Sequence, residues 1–183
     1  MEKNILIHLA SGFEEIEAVS IIDVLRRAGF EVTTVSITGF CKVTGAHNIS
    51  IEADKLFEEA NYDQADMIIL PGGMPGTTNL QNHPGLSEKL TQFYEGNKTI
   101  GAICAAPSIL GSLGFLKGRK AVCYPGFESK LTGATVLKSP FVVDGNIITG
   151  RGVGTALEFS LEIVRMFKGD EEAANLRTAL VFC

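Results

Sequence analysis

The chain has 183 residues, 45 % of them hydrophobic and 20 % charged, enough for one domain with a full core and no need of a disulfide or metal staple. A net charge of -5 with no more than two basic residues in succession argues against a nucleic-acid partner, and no apolar run approaches the ~20 residues of a membrane span. Met1-Glu2-Lys3-Asn4 leads straight into a strand-like run without a signal-peptide pattern, so the expected compartment is the cytoplasm, where Cys41, Cys104, Cys123 and Cys183 should be free thiols. They lie far apart without C-x-x-C, which suggests neither a zinc site nor a dithiol pair.

Residues 4–9 form a compact apolar run, and residues 13–28 carry helical periodicity that Gly29 stops. Ser11 and Glu14 have the spacing of a capping box at the start of that helix. Residues 31–37 are rich in β-branched residues and complete a βαβ unit. An irregular or short-stranded excursion follows over 38–51, then a short helix over 54–60. Residues 66–70 read as a buried strand entering Pro71-Gly72-Gly73-Met74-Pro75-Gly76, a loop too rich in Gly and Pro to be helical. A helix over 84–94, a strand over 99–103 and a helix over 105–113 come next. Short strands over 120–124 and 134–137 lead to a hairpin around Asp144-Gly145 within 141–149. Gly150 to Gly154 then opens a helix ending near Phe167, with Thr155 and Glu158 spaced as a second capping box, and a last helix covers 170–178. Alternating strands and helices imply a doubly wound α/β sandwich with a mainly parallel sheet, whose site lies outside the carboxyl ends of the strands.

Cys104 stands at the end of one such strand, in Ala102-Ile103-Cys104-Ala105-Ala106-Pro107. Small residues two before and two after it match the spacing of a nucleophile elbow. A thiol ahead of a helix N-terminus is expected to ionise readily, the alternative being a buried cysteine acting as a small hydrophobe. Glu17 falls with Ile21, Val24 and Ala28 on the core-facing stripe of the first helix, where a carboxyl near the thiol would have its pKa raised and act as a proton shuttle. The backbone N–H groups of Gly72, Gly73 and Ala105 are candidates for an oxyanion hole. Gly150-Arg151-Gly152-Val153-Gly154 ends in Thr155 where a dinucleotide fingerprint needs glycine, so no cofactor is expected, and no metal-ligand spacing is present. His8, His47 and His83 all precede Cys104, and local sequence pairs none of them with it. Ile16 and Val19 lie on the opposite face of the first helix from its core stripe, which predicts a homodimer packed through that helix.

Taken together, Gly12 to Ala18, Leu70 to Gly73, Ala102 to Pro107 and Gly150 to Thr155 resemble the ThiJ/PfpI superfamily over essentially the full length, and within it the parkinsonism-associated deglycase branch with its YajL-like bacterial relatives. The resemblance implies a flavodoxin-like sandwich, a homodimer, an oxidisable nucleophile at Cys104, a protonated partner at Glu17 and backbone donors at Gly73 and Ala105. It also implies two departures: Ala134 where eukaryotic members carry a pocket histidine, and Ala105 where the peptidase-like branch has one. The expected activity is that of a cysteine-dependent, cofactor-independent glyoxalase or deglycase acting on small reactive aldehydes such as methylglyoxal or on glycated adducts. A redox-sensing stress protein or holdase is the alternative, and a cysteine amidase or peptidase fits less well.

Overall fold

Alternate residues of the strands feed two separate cores, which is the physical basis of the layered architecture. In the computed structural model, which describes residues 3–182, Ile5, Ile7 and Leu9 pack on one face of the sheet with Met67, Ile69 and Ile103, while Leu6, Ala10, Ile68, Leu70 and Ala102 pack on the other. Cys183 lies outside the described residues.

In chain order the elements are β1 (Asn4–Leu9), α1 (Glu15–Arg27), β2 (Glu31–Ser36), β3 (Lys42–Thr44), β4 (Ser50–Glu52), β5 (Lys55–Leu56), β6 (Met67–Leu70), α2 (Gly76–Gln81), α3 (Pro84–Glu95), β7 (Thr99–Ile103), α4 (Pro107–Ser112), β8 (Lys120–Ala121), β9 (Thr135–Val136), β10 (Phe141–Asp144), β11 (Ile147–Gly150), α5 (Ala156–Lys168) and α6 (Asp170–Ala179). The main sheet has the order β10-β11-β7-β6-β1-β2-β5. Only β10 runs antiparallel in it. Residues of α1, α5 and α6 fill the core on one face, and those of α2, α3 and α4 fill the other. This is the mainly parallel, flavodoxin-like sandwich expected from the alternating pattern.

Both sheet edges are blunted. β5 offers two residues, and at the end of β10 the Asp144 carbonyl accepts from Arg119 Nη1 at 2.6 Å while its carboxylate accepts from Lys120 N–H at 2.8 Å.

Several local expectations are corrected. The helix after β1 starts at Glu15, because Gly12 takes a positive φ of 83° and Glu14 N–H pairs with Gly72 O at 2.9 Å, holding Phe13 and Glu14 off the helix. The Ser11/Glu14 capping box does not form; Glu14 is itself the N-cap, its Oε2 accepting from Glu17 N–H at 2.7 Å. The Thr155/Glu158 box is absent too, since the Thr155 hydroxyl bonds back to Gly152, donating to its carbonyl and accepting from its N–H. In place of a helix over 54–60 there are β5 and a 3-10 turn, Phe57–Glu59. α2, unexpected after so glycine-rich a loop, is pinned by Gly76 N–H on Gly12 O and Asn79 Nδ2 on Ser11 O.

Candidate active site

In a sheet of this order the chain leaves β1 in one direction and β6 in the other, so the loops after them part and leave a crevice at their carboxyl ends. The loop after β1, the Gly72-Gly73 turn after β6 and the end of β7 meet there. Cys104 closes β7 with a positive φ of 64°, a conformation a side chain larger than glycine adopts only when its surroundings enforce it. The enforcing bonds are Cys104 N–H to Gly150 O at 3.0 Å and Tyr124 N–H to Cys104 O at 2.7 Å. Pro107 at the first position of α4 then turns the chain away. The result is the elbow expected from the alanine spacing.

Glu17 lies one turn into α1 and is 0 % exposed, facing the core with Ile21, Val24 and Ala28. Its Oε2 accepts from Gly72 N–H at 2.8 Å, while Oε1 finds no nitrogen or oxygen partner. The thiol of Cys104, 8 % exposed, is the group the carboxyl interacts with on its other side. Gly72 is the hinge of this arrangement: a Cβ there would stand 2.5 Å from Cys104 Cβ and 2.9 Å from Glu17 Oε2, so only glycine lets the two groups approach. The Gly72 N–H, expected as an oxyanion donor, is therefore already engaged by Glu17. The N–H groups of Gly73 and Ala105 instead face the Cys104 sulfur and favour its charged form.

Those two donors do not win. Burial, then the Glu17 charge, pushes the Cys104 thiol up to about 12, which overturns the expectation of a readily formed thiolate. α4 is six residues long, too short a dipole to offset that desolvation. Burial raises Glu17 to about 7 against the pull of the Gly72 N–H and the thiol, with the Glu14 charge adding to the rise. The two acids titrate as one coupled pair, and the carboxyl ionises first.

No histidine joins them. His8 is fully buried with Nε2 2.9 Å from the Tyr62 hydroxyl, and burial holds it neutral with its pKa lowered to about 3. His83 caps α3 through Nδ1 and packs on Phe57. His47 bonds Glu15 at 2.8 Å. Glu14, Glu15 and His47 are close enough together to hold a metal, but Glu15 accepts from His47 and Glu14 from Glu17 N–H. Ala134 is partly buried against the core shared with α2, α3 and α4 and supplies no imidazole. Tyr124 reaches the site from a separate loop: its N–H donates to Cys104 O, and its ring lies 3.2 Å from where a Cβ on Gly152 would stand, a position 3.9 Å from Cys104 Sγ. Sequence reading missed it because residues 122–124 are not a strand but a loop whose position depends on the contact with Cys104 O.

Residues 3–166 match the sequence profile of the DJ-1/PfpI family. The chain is 42 % identical over 176 residues to protein DJ-1 homolog B of Arabidopsis thaliana, a match covering 96 % of this chain but 40 % of that protein, so the chain spans less than half of that relative's length. It is 33 % identical over 166 residues to a deglycase of Pyrococcus abyssi, covering 90 % of this chain and 99 % of the relative. Among solved structures, oxidized DJ-1 of Toxoplasma gondii superposes with a TM-score of 0.95 at 35 % identity over 99 % of both chains. With this fold, an elbow cysteine and a buried glutamate behind it, the chain belongs to the DJ-1/PfpI family.

Proposed function

We propose that the chain is a cofactor-independent glyoxalase or deglycase in which Cys104 and Glu17 convert α-oxoaldehydes such as methylglyoxal, free or as adducts, into 2-hydroxy acids. The observation that carries this reading is the pair itself: a fully buried carboxyl, one oxygen fixed by Gly72 N–H and the other without a nitrogen or oxygen partner, interacting with a thiol on a positive-φ elbow. The relative named a deglycase supports it.

A thiol with a raised pKa needs a base as it attacks, and Glu17 is placed to be that base. The carboxylate takes the thiol proton as sulfur bonds to the aldehyde carbon, then hands it to the aldehyde oxygen, giving a hemithioacetal. Regenerated, it removes the proton from that same carbon, and the electron pair left behind forms the double bond of an enediolate. The hydroxyl proton shifts to the neighbouring oxygen and Glu17 returns its proton to the neighbouring carbon, so one carbon is oxidised and its neighbour reduced with no outside redox partner. Water then cleaves the resulting thioester, releasing the 2-hydroxy acid and the thiol.

The test is lactate production from methylglyoxal by metal-free protein beside Cys104→Ala and Glu17→Gln. Turnover that disappears in both variants is expected; stoichiometric consumption without turnover overturns the enzyme reading. That second outcome favours a thiol that senses oxidants, a reading supported by the oxidized relative. Cys104 would then gain two oxygens under mild peroxide, held by a protonated Glu17, before the other thiols react.

The exposed side of α1 supports a homodimer as a further part of this proposal. Ile16 is 56 % and Val19 48 % exposed, and Ile49, 59 % exposed, sits alongside with its N–H toward Glu15.

A further inference from the structure

Beside the thiol lies an open cleft of about 310 Å³, at the lower end of the size range of small-molecule sites, and its walls include Tyr124, Arg151, Gly152 and Thr155. Gly152 connects it to the chemistry, since a Cβ there would stand 3.9 Å from Cys104 Sγ. Thr155 fixes that wall through its paired bonds to Gly152. Methylglyoxal carries no negative charge for a cation to pair with, and yet Arg151 lines the cleft.

Arg151 is anchored through its backbone, N–H to Pro140 O at 2.9 Å, while among the described residues its guanidinium is met by no carboxylate or carbonyl at hydrogen-bond distance. The nearby carboxylate, Glu128, forms no ion pair with it. Glu128 feels the charges of both Arg151 and Lys138, and its Oε2 accepts from Gly126 N–H at 2.7 Å. Arg151 thus lines the cleft as a cation without an ion pair among the described residues, whereas Glu17 and Glu14 lie on the interior side of the thiol. A ligand with an anion at one end and an electrophilic carbonyl at the other fits this polarity in one orientation only.

We infer that the cleft selects α-oxoaldehydes bearing a carboxylate, and that Arg151 is the specificity residue that recognises it. The substrate class rests on the function proposed above; the anion recognition does not. A guanidinium presents paired donors to a carboxylate, which gives orientation as well as charge.

Two alkylating agents of nearly equal shape separate these points, because each reports on Cys104 whether or not the protein turns anything over. The thiolate displaces iodide from iodoacetate, which is anionic, or from iodoacetamide, which is neutral. The rate ratio of the two at Cys104, read by peptide mapping, is expected to fall about tenfold in Arg151→Met, to recover in part in Arg151→Lys, and to shrink with salt in the wild type. An equal ratio in wild type and Arg151→Met overturns the assignment. For turnover, the ratio of kcat/KM for γ,δ-dioxovalerate, an α-oxoaldehyde with a terminal carboxylate, to that for methylglyoxal is expected to drop about tenfold in Arg151→Met. Wild-type protein that converts neither compound overturns the enzyme reading, and the alkylation ratio still decides the role of Arg151.

Discussion

A buried carboxyl and a buried imidazole pull the pH dependence of stability in opposite directions. Glu17, raised from 4.5 to about 7, binds its proton more tightly in the folded chain. Its contribution is complete below pH 4.5 and is lost as pH climbs through 7, a change of about 3 kcal/mol. His8, lowered from 6.5 to about 3, contributes stability that is present above pH 6.5 and lost as pH falls toward 3. The two slopes oppose each other between 4.5 and 6.5. Glu17→Gln retains an acceptor for the Gly72 N–H and removes one slope. Urea midpoints are therefore expected to rise with pH across that window more steeply in the variant than in the wild type, and above pH 7 the variant should be the more stable. Parallel curves for the two proteins would refute the placement of Glu17. Sequence periodicity alone put Glu17 on the core stripe; its bond to Gly72, 55 positions away, was not legible because it depends on a contact between loops.

Among the elements, β1, β6 and β7 could be read from composition because each is a short, mostly apolar run buried on both faces. The starts of α3 and α6 could be read too, at Pro84 and Asp170, but that of α1 could not, since Gly12 and the bond from Glu14 N–H to Gly72 O move it past Phe13 and Glu14 through a contact between distant loops. The turn after β6 illustrates the same dependence. Gly72→Ala forces a methyl to within 2.5 Å of Cys104 Cβ, so either the elbow or the turn must move. We expect a cost of about 1–3 kcal/mol in thermal or urea unfolding and a fall in turnover of about a hundredfold, as reacting groups separate. A variant as active as the wild type would mean that the close approach of the β6 turn to the elbow is not required.

At the scale of the molecule, the doubly wound order brings the β1, β6 and β7 loops to one end, so one crevice collects residues distant in sequence. That much follows from alternating strands and helices. No described helix is long and apolar enough to cross a membrane. What the pattern leaves uncovered is the outer side of α1. Light scattering at micromolar concentration is expected to give twice the chain mass, and Val19→Glu, which places a charge in the apolar patch, to give the chain mass; a wild-type monomer would refute the dimer. The blunted sheet edges have a different bearing on assembly. Extra strands find few free rungs to add to: β5 is two residues long, and the end of β10 is occupied by Arg119 and Lys120. Fibril-like growth by templated strand addition would first have to peel away an outer strand, so the native protein resists seeding until an edge is locally unfolded.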